Sequence, residues 1–334
     1  MSENKVKRIG VLTSGGDSPG MNTAIRAVVR AALDKNIEVI GIRRGYNGLI
    51  DGETVQLTSK SVSEVIARGG TFLYTARSPK FKTEEGVLEA VESCKKLGLE
   101  GVVVIGGDGS FRGASDLSKH GIPCVGIPGT IDNDISCSEY TIGFDTAVNT
   151  CVDCIDKIRD TMQSHDRCSI IEVMGRNAGY IALNAGIATG AMAILIPEVP
   201  VDIEEHVIVR MKAAMNSGRH HFIIVVAEGV GNIDALAEKI KAEVGIETKT
   251  TILGHVQRGG SPTATDRVWA SRLGYEAVKL LSQGIGDRVV AVKNGEIVNY
   301  DIQDALKMKK SIDKEMYKMA YTISSAGLEK YGKK

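Results

Sequence analysis

Short apolar runs alternate with longer amphipathic runs along this chain. The apolar runs include "RIGVLTS", "IEVIGIRR", "GVVVIGG" and "PCVGIPG" in the first half, and "CSIIEVMG", "MAILIPE", "HFIIVVAEG" and "TTILGH" in the second. The stretches "GMNTAIRAVVRAALDKN" and "EEGVLEAVESCKKLG" repeat their apolar residues at helical spacing. Val- and Ile-rich strands that alternate with helices are typical of parallel sheets covered on both faces. We therefore predict an α/β protein with two similar three-layer domains and mostly parallel sheets.

Two shorter patterns add local detail. "KNGEIVNYDI" places an Asn-Gly pair between two β-like runs, which predicts a hairpin. The chain's one CxxC pair, Cys151 and Cys154, lies where Ala147, Cys151 and Ile155 share helical spacing. Because no second CxxC pair accompanies it, we expect these cysteines on or beside a buried helix face rather than in a metal or redox site.

The charge balance narrows the possible functions. The 334 residues contain 41 Lys and Arg and 41 Asp and Glu, so the basic footprint of a nucleic-acid-binding protein is missing. We find no apolar run near the roughly 18 residues of a membrane helix, and "MSENKVKRIGVLTS" has no apolar core of a secretory signal. We expect a cytoplasmic protein with no nucleic-acid partner and no membrane segment.

Polar sequences rich in glycine or aspartate follow three predicted strands: "TSGGDSPG", "GGDGS" and "GTIDND". In parallel sheets, ligands bind at the carboxyl ends of the strands. Gly15 and Gly16 would let backbone N–H groups approach an anion at the start of a helix. This first loop lacks the GK[ST] of a Walker A motif, and taken alone it is equally consistent with an ordinary turn.

The second loop surrounds Asp108 with Gly106, Gly107 and Gly109 just before a helix. Small residues leave room for phosphates, and a carboxylate in an anion site calls for a cation, most naturally Mg²⁺. The alternative, a tight turn in which Asp108 caps the helix, accounts for one glycine but not for three.

The third loop carries Asp132 and Asp134 after Thr130. Phosphoryl transfer to an alcohol requires a base for the hydroxyl and cations for the phosphates. One carboxylate can face the hydroxyl and the other the metal, while Thr130 orients either group. The alternative is an Asx-rich surface turn, and the position of this loop beside two anion-type loops argues against it.

Cationic side chains stand near other predicted strand ends, several of them beside glycine. Guanidinium forks suit phosphate oxygens. Each residue alone is typical of a solvated surface, but together they indicate a site for a doubly phosphorylated ligand. The residues are Arg77, Arg167, Arg176, His255 and Arg258.

Seven motifs occur in one order between residues 10 and 262: "GVLTSGGDSPGMN", "RGGTFLYTAR", "VVVIGGDGS", "PGTIDNDI", "YTIGFDTA", "EVMGRNAGY" and "LGHVQRGGSP". With these motifs the chain resembles the bacterial type of ATP-dependent 6-phosphofructokinases. The resemblance implies phosphorylation of fructose 6-phosphate at its 1-hydroxyl by ATP with Mg²⁺, as a step of glycolysis. It also implies a homotetramer with active sites that bridge subunits, and ADP or phosphoenolpyruvate as possible effectors.

The resemblance assigns roles residue by residue. Asp132 would be the base, Asp134 would support it or the metal, and Asp108 would bind Mg²⁺. The implied catalytic set is Gly16, Thr130, Asp132, Asp134 and Arg176. The implied ATP-binding set is Gly16, Arg77, Ser78, Gly107, Asp108, Gly109 and Ser110. The implied sugar-phosphate set is Thr130, Ile131, Asp132, Arg167, Met174, Gly175, Arg176, Glu228, Lys249, His255, Val256, Gln257 and Arg258, with Arg167 reaching the substrate of a neighbouring subunit.

The same resemblance implies two domains that are discontinuous in sequence. Residues 1–138 plus 256–305 would bind ATP, and residues 139–255 plus 306–334 would bind the sugar phosphate and effectors.

Several positions depart from the family pattern. Lys249 replaces an arginine, which keeps the charge but loses the bidentate fork. The implied effector cations are Arg26, Arg30, Arg159 and Arg219, whereas Ser59 and Ser217 replace basic residues and Met192 replaces a metal-binding glutamate. A thioether is a poor Mg²⁺ ligand, so we expect activation by ADP to be weakened or lost.

The phosphoryl donor depends on two glycines. Relatives that use pyrophosphate typically carry aspartate at the position of Gly109 and lysine at that of Gly129. Small residues leave room for a nucleotide, which favours ATP. A pyrophosphate-dependent phosphofructokinase and a catalytically weak regulatory subunit stay open as alternatives, although the latter would normally have lost Asp108, Asp132 or Asp134.

Overall fold

The structure, a computed structural model, describes residues 6–200 and 202–325. The strands are β1 (Arg8–Thr13), β2 (Glu38–Ile42), β3 (Thr54–Leu57), β4 (Val102–Gly106), β5 (Cys124–Pro128), β6 (Cys168–Val173), β7 (Ala193–Leu195), β8 (Phe222–Ala227), β9 (Thr248–Ile252), β10 (Arg288–Lys293) and β11 (Glu296–Asp301). The helices are α1 (Met21–Asp34), α2 (Tyr46–Asp51), α3 (Glu84–Lys96), α4 (Asp108–Lys119), α5 (Phe144–Ser164), α6 (Tyr180–Ala188), α7 (Arg210–Asn216), α8 (Ile233–Val244), α9 (Ala264–Ser282), α10 (Ile302–Lys307) and α11 (Lys314–Ser325). Within this described part, every helix is too short or too polar to cross a membrane.

The described residues form two compact units. Unit 1 takes in the residues up to Ile131, Ile135–Thr146 and Arg258–Lys310. Unit 2 takes in Asp132–Asp134, Ala147–Gln257 and the residues from Ser311 onward. Which unit binds which ligand stays a prediction.

Unit 1 is built on a seven-stranded sheet in the order β11-β10-β5-β4-β1-β2-β3. The five central strands run parallel, and β3 and β11 are antiparallel to their neighbours at the two edges. The predicted hairpin is confirmed: β10 and β11 pair across Asn294 and Gly295, whose φ angles of 51° and 74° fit the turn expected for an Asn-Gly pair.

Helices cover both faces of this sheet, as the apolar runs predicted. On β4, Val103 and Ile105 join a core cluster with residues of α1 and α9, such as Val28. The intervening Val102 and Val104 join a second cluster with residues of α3 and α4. Because alternate residues of a strand face opposite sides, burial of both sides requires a continuous apolar run rather than alternation.

Unit 2 contains a four-stranded parallel sheet in the order β7-β8-β6-β9. The six residues of β8 are all buried, and one face of the sheet packs against α7 and α8 in a single cluster. Strand β9 lies at the edge and is largely solvent-exposed, which explains its Thr- and Lys-containing sequence.

The position predicted for the CxxC pair is confirmed, because both cysteines lie on α5 and Cys151 is buried. Burial raises the pKa of Cys94 and of Cys168 to about 12, and that of Cys137 to about 11. Cys124 is also buried, whereas Cys154 is half-buried.

We expect one of the six thiols, Cys154, to react rapidly with a thiol reagent in the folded protein at about pH 8, because the attacking species is the thiolate. The buried thiols remain protonated until the pH approaches their raised pKa values. The measurement is a timed thiol titration, with a Cys154→Ser variant and a denatured sample for comparison. A rapid phase that persists in Cys154→Ser would contradict the assignment.

Candidate functional site

The three polar loops begin at one edge of the unit 1 sheet. They follow β1, β4 and β5, which are neighbouring parallel strands, so their carboxyl ends lie side by side. The Ser14 N–H donates to the carbonyl of Ile105 (2.9 Å), and the Ser110 hydroxyl donates to the carbonyl of Ser14 (3.0 Å). The Gly129 N–H donates to the carbonyl of Gly106 (3.0 Å). The first residues of the three loops are therefore hydrogen-bonded to the neighbouring strand or loop of unit 1.

The glycines of the second loop serve two purposes. A Cβ on Gly106 would stand 2.4 Å from the carbonyl oxygen of Ser14, so this glycine allows the loops to pack closely. A Cβ on Gly107 or Gly109 would meet no atom within 4 Å. Open space beside the first turn of a helix is where a phosphate group can approach backbone N–H groups.

The segment that carries Arg77 and Ser78 is held against the first glycine loop. The Thr75 hydroxyl donates to the carbonyl of Gly15 (2.8 Å), and the Thr13 hydroxyl donates to that of Tyr74 (2.9 Å). Arg77 is exposed. Two members of the implied ATP-binding set thus lie on a segment tied to the glycine loop.

Arg258 also lies at this loop. Its Nη1 donates to the carbonyl of Asp17 (3.1 Å) and is 2.5 Å from the point where a Cβ of Gly16 would stand. A larger residue there would require the guanidinium to move. The resemblance places Arg258 with the sugar phosphate, and in this structure its contacts are with the glycine loop of unit 1.

The surroundings of Asp108 fit a Mg²⁺ ion bound together with phosphates. Asp108 opens α4, half-buried and flanked by the open space at Gly107 and Gly109. Within residues 6–200 and 202–325, no group of three or more His, Cys, Asp or Glu side chains is arranged to hold a metal ion. Mg²⁺ usually takes one or two carboxylates and completes its shell with phosphate oxygens and water, so a single carboxylate beside a phosphate cradle suffices.

In unit 2, Asp132 is 2% exposed, and its Oδ2 is 3.5 Å from Nε of Arg176, whose side chain is 60% exposed. A carboxylate shielded from water thus stands next to a guanidinium that reaches solvent. Asp134 is half-buried near Tyr180, whose pKa rises to about 12 through burial first, and then through the charges of Glu198 and Asp134.

Backbone conformation directs Arg176 toward Asp132. Gly175 has φ 140°, and Arg176 itself has φ 54°, a conformation that a residue with a long side chain rarely adopts. The Glu228 carboxylate accepts the N–H groups of both Gly175 and Arg176 and so stabilises this turn. Glu228, implied as a sugar contact, therefore also positions Arg176.

Gln257 has a structural role that the sequence did not reveal. Its side chain is fully buried, and its Oε1 accepts from the Cys151 thiol (3.1 Å) and from the Met174 N–H (3.1 Å). Its Nε2 donates to the carbonyl of Gly254 (2.9 Å). The amide thereby ties α5 to the turn before Arg176, and its polar atoms are already engaged.

Glu247 links two implied phosphate-binding cations. Arg167 Nε lies 2.7 Å and Lys249 Nζ lies 2.8 Å from its carboxylate. Hydrogen bonds from Lys249 and Arg167 lower the pKa of Glu247. Sequence reasoning missed Glu247, although its position two residues before Lys249 is a signal, because such residues share one side of an extended segment.

For four other predicted site residues the structure shows mainly their degree of burial. Ile131 is fully buried, so a ligand could meet only its backbone, whereas His255 and Val256 are exposed on the 3-10 turn Gly254–Arg258. Thr130 is half-buried at the end of β5.

The implied effector residues divide between the units. Arg26 and Arg30 lie on α1 in unit 1, and Arg159 and Arg219 lie in unit 2. Burial lowers the pKa of Arg219, and the charge of Arg159 adds to this effect. Met192 is fully buried in the core of unit 2.

Comparison with known proteins places this geometry in a family. A model of the phosphofructokinase family matches residues 8–281. Over 319 residues the chain is 56% identical to an ATP-dependent 6-phosphofructokinase of Bacillus velezensis and 58% identical to one of Bacillus mycoides. Each comparison covers 96% of this chain and 100% of the relative.

Comparison with solved structures supports the same family. The chain superposes on a phosphofructokinase structure from Saccharomyces cerevisiae with a TM-score of 0.83 at 34% identity, covering 96% of this chain and 48% of that one. A pyrophosphate-dependent phosphofructokinase from Marinobacter aquaeolei gives a TM-score of 0.82 at 21% identity, covering 96% and 92%, which shows a shared fold alone. With its glycine loops, its Asp132–Arg176 pair and its full-length match to these relatives, the chain belongs to the phosphofructokinase family.

Proposed function

We propose that this chain is an ATP-dependent 6-phosphofructokinase, which transfers a phosphoryl group from ATP to the 1-hydroxyl of fructose 6-phosphate. The observation that carries the proposal is the buried Asp132 carboxylate beside Arg176, in a chain that matches enzymes of that name over their whole length. Kinase chemistry consists mainly of positioning, charge neutralisation and removal of one proton, and the residues supply each of these.

In the proposed reaction, Asp132 accepts the proton of the 1-hydroxyl as that oxygen forms its bond to the γ-phosphorus and the bond to ADP breaks. A carboxylate held away from water and within hydrogen-bonding reach is suited to this role. Arg176, exposed and held by a strained turn, meets the negative charge on the transferred group. Bidentate guanidinium–phosphate hydrogen bonds suit a planar transition state.

The glycine loops of unit 1 would bind the triphosphate. Gly107 and Gly109 leave open space, and Asp108, with the phosphates, would hold Mg²⁺. The ion neutralises phosphate charge when bound. The implied ATP contacts of Gly16, Arg77, Ser78 and Ser110 are part of this proposal.

Two glycines support ATP over pyrophosphate as the donor. Gly109 borders open space and adds no side chain of its own that could obstruct a bound nucleotide. A Cβ on Gly129 would already be 3.1 Å from Cγ2 of Ile105, so a lysine there would displace its neighbours.

Arg167 and Lys249 are proposed to bind the 6-phosphate of the substrate on a neighbouring subunit of a homotetramer. Both residues are partly exposed and already held near one carboxylate, Glu247. A cytoplasmic location and regulation by ADP or phosphoenolpyruvate belong to the same proposal, with activation by ADP weakened because Met192 offers no metal ligand.

To test the proposal, purified protein is incubated with fructose 6-phosphate and Mg²⁺, with ATP in one sample and pyrophosphate in another, and the product is measured. Fructose 1,6-bisphosphate formed with ATP alone would support the proposal. Product from pyrophosphate would overturn the argument from Gly109 and Gly129. No product from either donor would favour a regulatory subunit or a different acceptor.

Replacement of Glu247 by glutamine is expected to lower the half-saturating fructose 6-phosphate concentration by about two- to fivefold at low ionic strength, because it removes the carboxylate that competes with a phosphate for Arg167 and Lys249. The effect should shrink as salt is added. Initial rates at several salt concentrations measure it. Glu243→Gln, which affects a partly exposed pair with Lys239 in the same unit, is the matched control. An unchanged or raised half-saturating concentration in Glu247→Gln would contradict the prediction.

A further inference from the structure

Asp266, in the first turn of α9, is a fully buried carboxylate with both oxygens engaged. Its Oδ1 accepts from the Tyr140 hydroxyl (2.6 Å) and the Gly143 N–H (2.6 Å). Its Oδ2 accepts from the N–H (2.9 Å) and the hydroxyl (2.5 Å) of Thr146. An ionised carboxylate has about four acceptor sites, so four converging donors fill it. A buried charge is tolerated only with such compensation.

The residues that Asp266 holds belong to the segment after β5. This segment folds back on itself: the Ile142 N–H donates to the carbonyl of Pro128 (2.9 Å), and Gly129 and Ile142 form a parallel bridge. The Thr141 hydroxyl donates to the carbonyl of Thr130 (2.7 Å). The returning strand of the segment therefore supports Thr130 directly.

The same segment reaches the first glycine loop. The Ser18 hydroxyl donates to the carbonyl of Ile142 (2.8 Å). A Cβ on Gly143 would stand 2.5 Å from Cβ of Ser18, so the contact is close. Asp266 is thus linked to the first glycine loop through Gly143, and to Thr130 of the third loop through the segment that contains Thr141.

Further contacts hold residues 140–146 against the start of α9. The Tyr140 ring packs against Trp269 (centroids 6.0 Å apart) and Phe144 (6.5 Å). The Thr263 N–H donates to Oγ1 of Thr146 (3.0 Å), and the Thr263 hydroxyl donates to Asp145 (2.6 Å). Both ends of the segment are therefore bound to the start of α9.

We propose that Asp266 is a positioning residue for phosphoryl transfer. It holds residues 140–146 in place, and these hold Thr130 and the Ser18 loop. Asp132 follows Thr130 by two positions in the chain, so a shift of Thr130 would be passed along the backbone to the proposed base. The inference rests on the proposed function. Misplacement of a reacting group by about 1 Å can cost roughly 10²-fold in rate, which sets the scale of the expected effect.

The Asp266→Asn variant tests the hydrogen bonds of this side chain with little change in its packing. It has nearly the same shape, but one of its two polar ends is a donor. Each carboxylate oxygen of Asp266 faces one backbone N–H, that of Gly143 or of Thr146. Hydroxyl groups can turn to become acceptors, whereas a backbone N–H cannot. In either orientation, the amide NH₂ of the new side chain therefore faces the backbone N–H of Gly143 or of Thr146.

The experiment compares Asp266→Asn, Tyr140→Phe and the matched control Asp301→Asn. Asp301 also accepts two backbone N–H groups at a helix start, and asparagine caps a helix as well as aspartate does. The readouts are kcat per folded molecule, the half-saturating concentrations of both substrates, and hydrogen exchange of residues 129–146.

For Asp266→Asn we expect a kcat about 30- to 300-fold lower per folded molecule, with the half-saturating ATP concentration within about threefold of wild type. Exchange should accelerate at residues 129–146 and remain unchanged in α10. Tyr140→Phe should lower kcat by about three- to tenfold, since it removes one of the four donors, and Asp301→Asn should stay within about twofold.

A folded Asp266→Asn protein with kcat within threefold of wild type would overturn the inference. So would a loss explained entirely by the unfolded fraction. If Asp266→Asn does not fold, wild-type kcat and unchanged exchange in Tyr140→Phe would overturn it. If wild-type protein shows no kinase activity, the proposed function fails. Unchanged hydrogen exchange at residues 129–146 in the variants would then separately contradict the inference that Asp266 holds this segment in place.

Discussion

Replacement of Asp132 by asparagine is expected to lower kcat by about 10²- to 10⁴-fold, the usual contribution of a general base. Asparagine keeps the shape of the side chain and can still accept a hydrogen bond from Arg176, but it cannot take the hydroxyl proton. The half-saturating concentrations of ATP and fructose 6-phosphate should change by no more than a few-fold, because ground-state contacts survive. Initial-rate kinetics with both substrates provide the measurement.

The matched control is Asp313→Asn, at the start of α11 in the same unit, where the carboxylate accepts the N–H of Met316 (2.9 Å). Its kinetics should equal those of the wild type. Asp134→Asn should lose less activity than Asp132→Asn, because it removes a supporting charge rather than the base. A kcat for Asp132→Asn above roughly a tenth of the wild-type value would assign the base elsewhere.

Replacement of Gly109 by aspartate is expected to raise the half-saturating ATP concentration by about a hundredfold or more, since like charges in close apposition cost several kcal/mol. Apart from its chain neighbours and its own helix backbone, no atom lies within 4 Å of the added Cβ position, so the fold itself should accept the change. The residue is in the first turn of α4, where a negative charge is favourable, and the melting temperature should not fall. ATP titration and thermal unfolding test the two statements.

Gly109→Ala is the control for bulk without charge, and the half-saturating ATP concentration should rise by about threefold at most, because a methyl group adds no charge. Both variants should also be offered pyrophosphate. Unchanged ATP binding in Gly109→Asp, or an equal loss in Gly109→Ala, would show that this open space does not receive the nucleotide.

Much of the α/β framework was predictable because a strand that is buried on both faces of its sheet has a continuous apolar sequence. The predicted apolar runs correspond to strands in both units, and the Asn-Gly hairpin lies at β10 and β11. The edge strand β3, "TVQL", was not predicted. It is short and alternates in polarity, since an edge strand buries less and needs no continuous apolar run.

The polar loops could likewise be predicted from the residues, since three loops rich in glycine or aspartate follow apolar strand-like runs. That they touch depends on the strand order β5-β4-β1, which the linear chain does not display. Arg258 illustrates the same limit. It lies 241 residues from Asp17 along the sequence, yet it donates to that residue's carbonyl.

The amino-acid pattern alone predicted the fold class, the polar loops at strand ends and the proposed chemistry of Asp108 and Asp132, because these depend on local spacing and residue type. The fold class and the loop positions are confirmed, and the chemistry of the two aspartates stays a prediction. Only the folded chain revealed the supporting contacts that Gln257, Glu247 and Asp266 make. Each acts through hydrogen bonds or ion pairs to groups it meets in space, including backbone groups present at every position. Such contacts leave almost no mark on residue type, so tertiary structure decided which polar side chains, the buried Gln257 and Asp266 and the exposed Glu247, support residues of the proposed site.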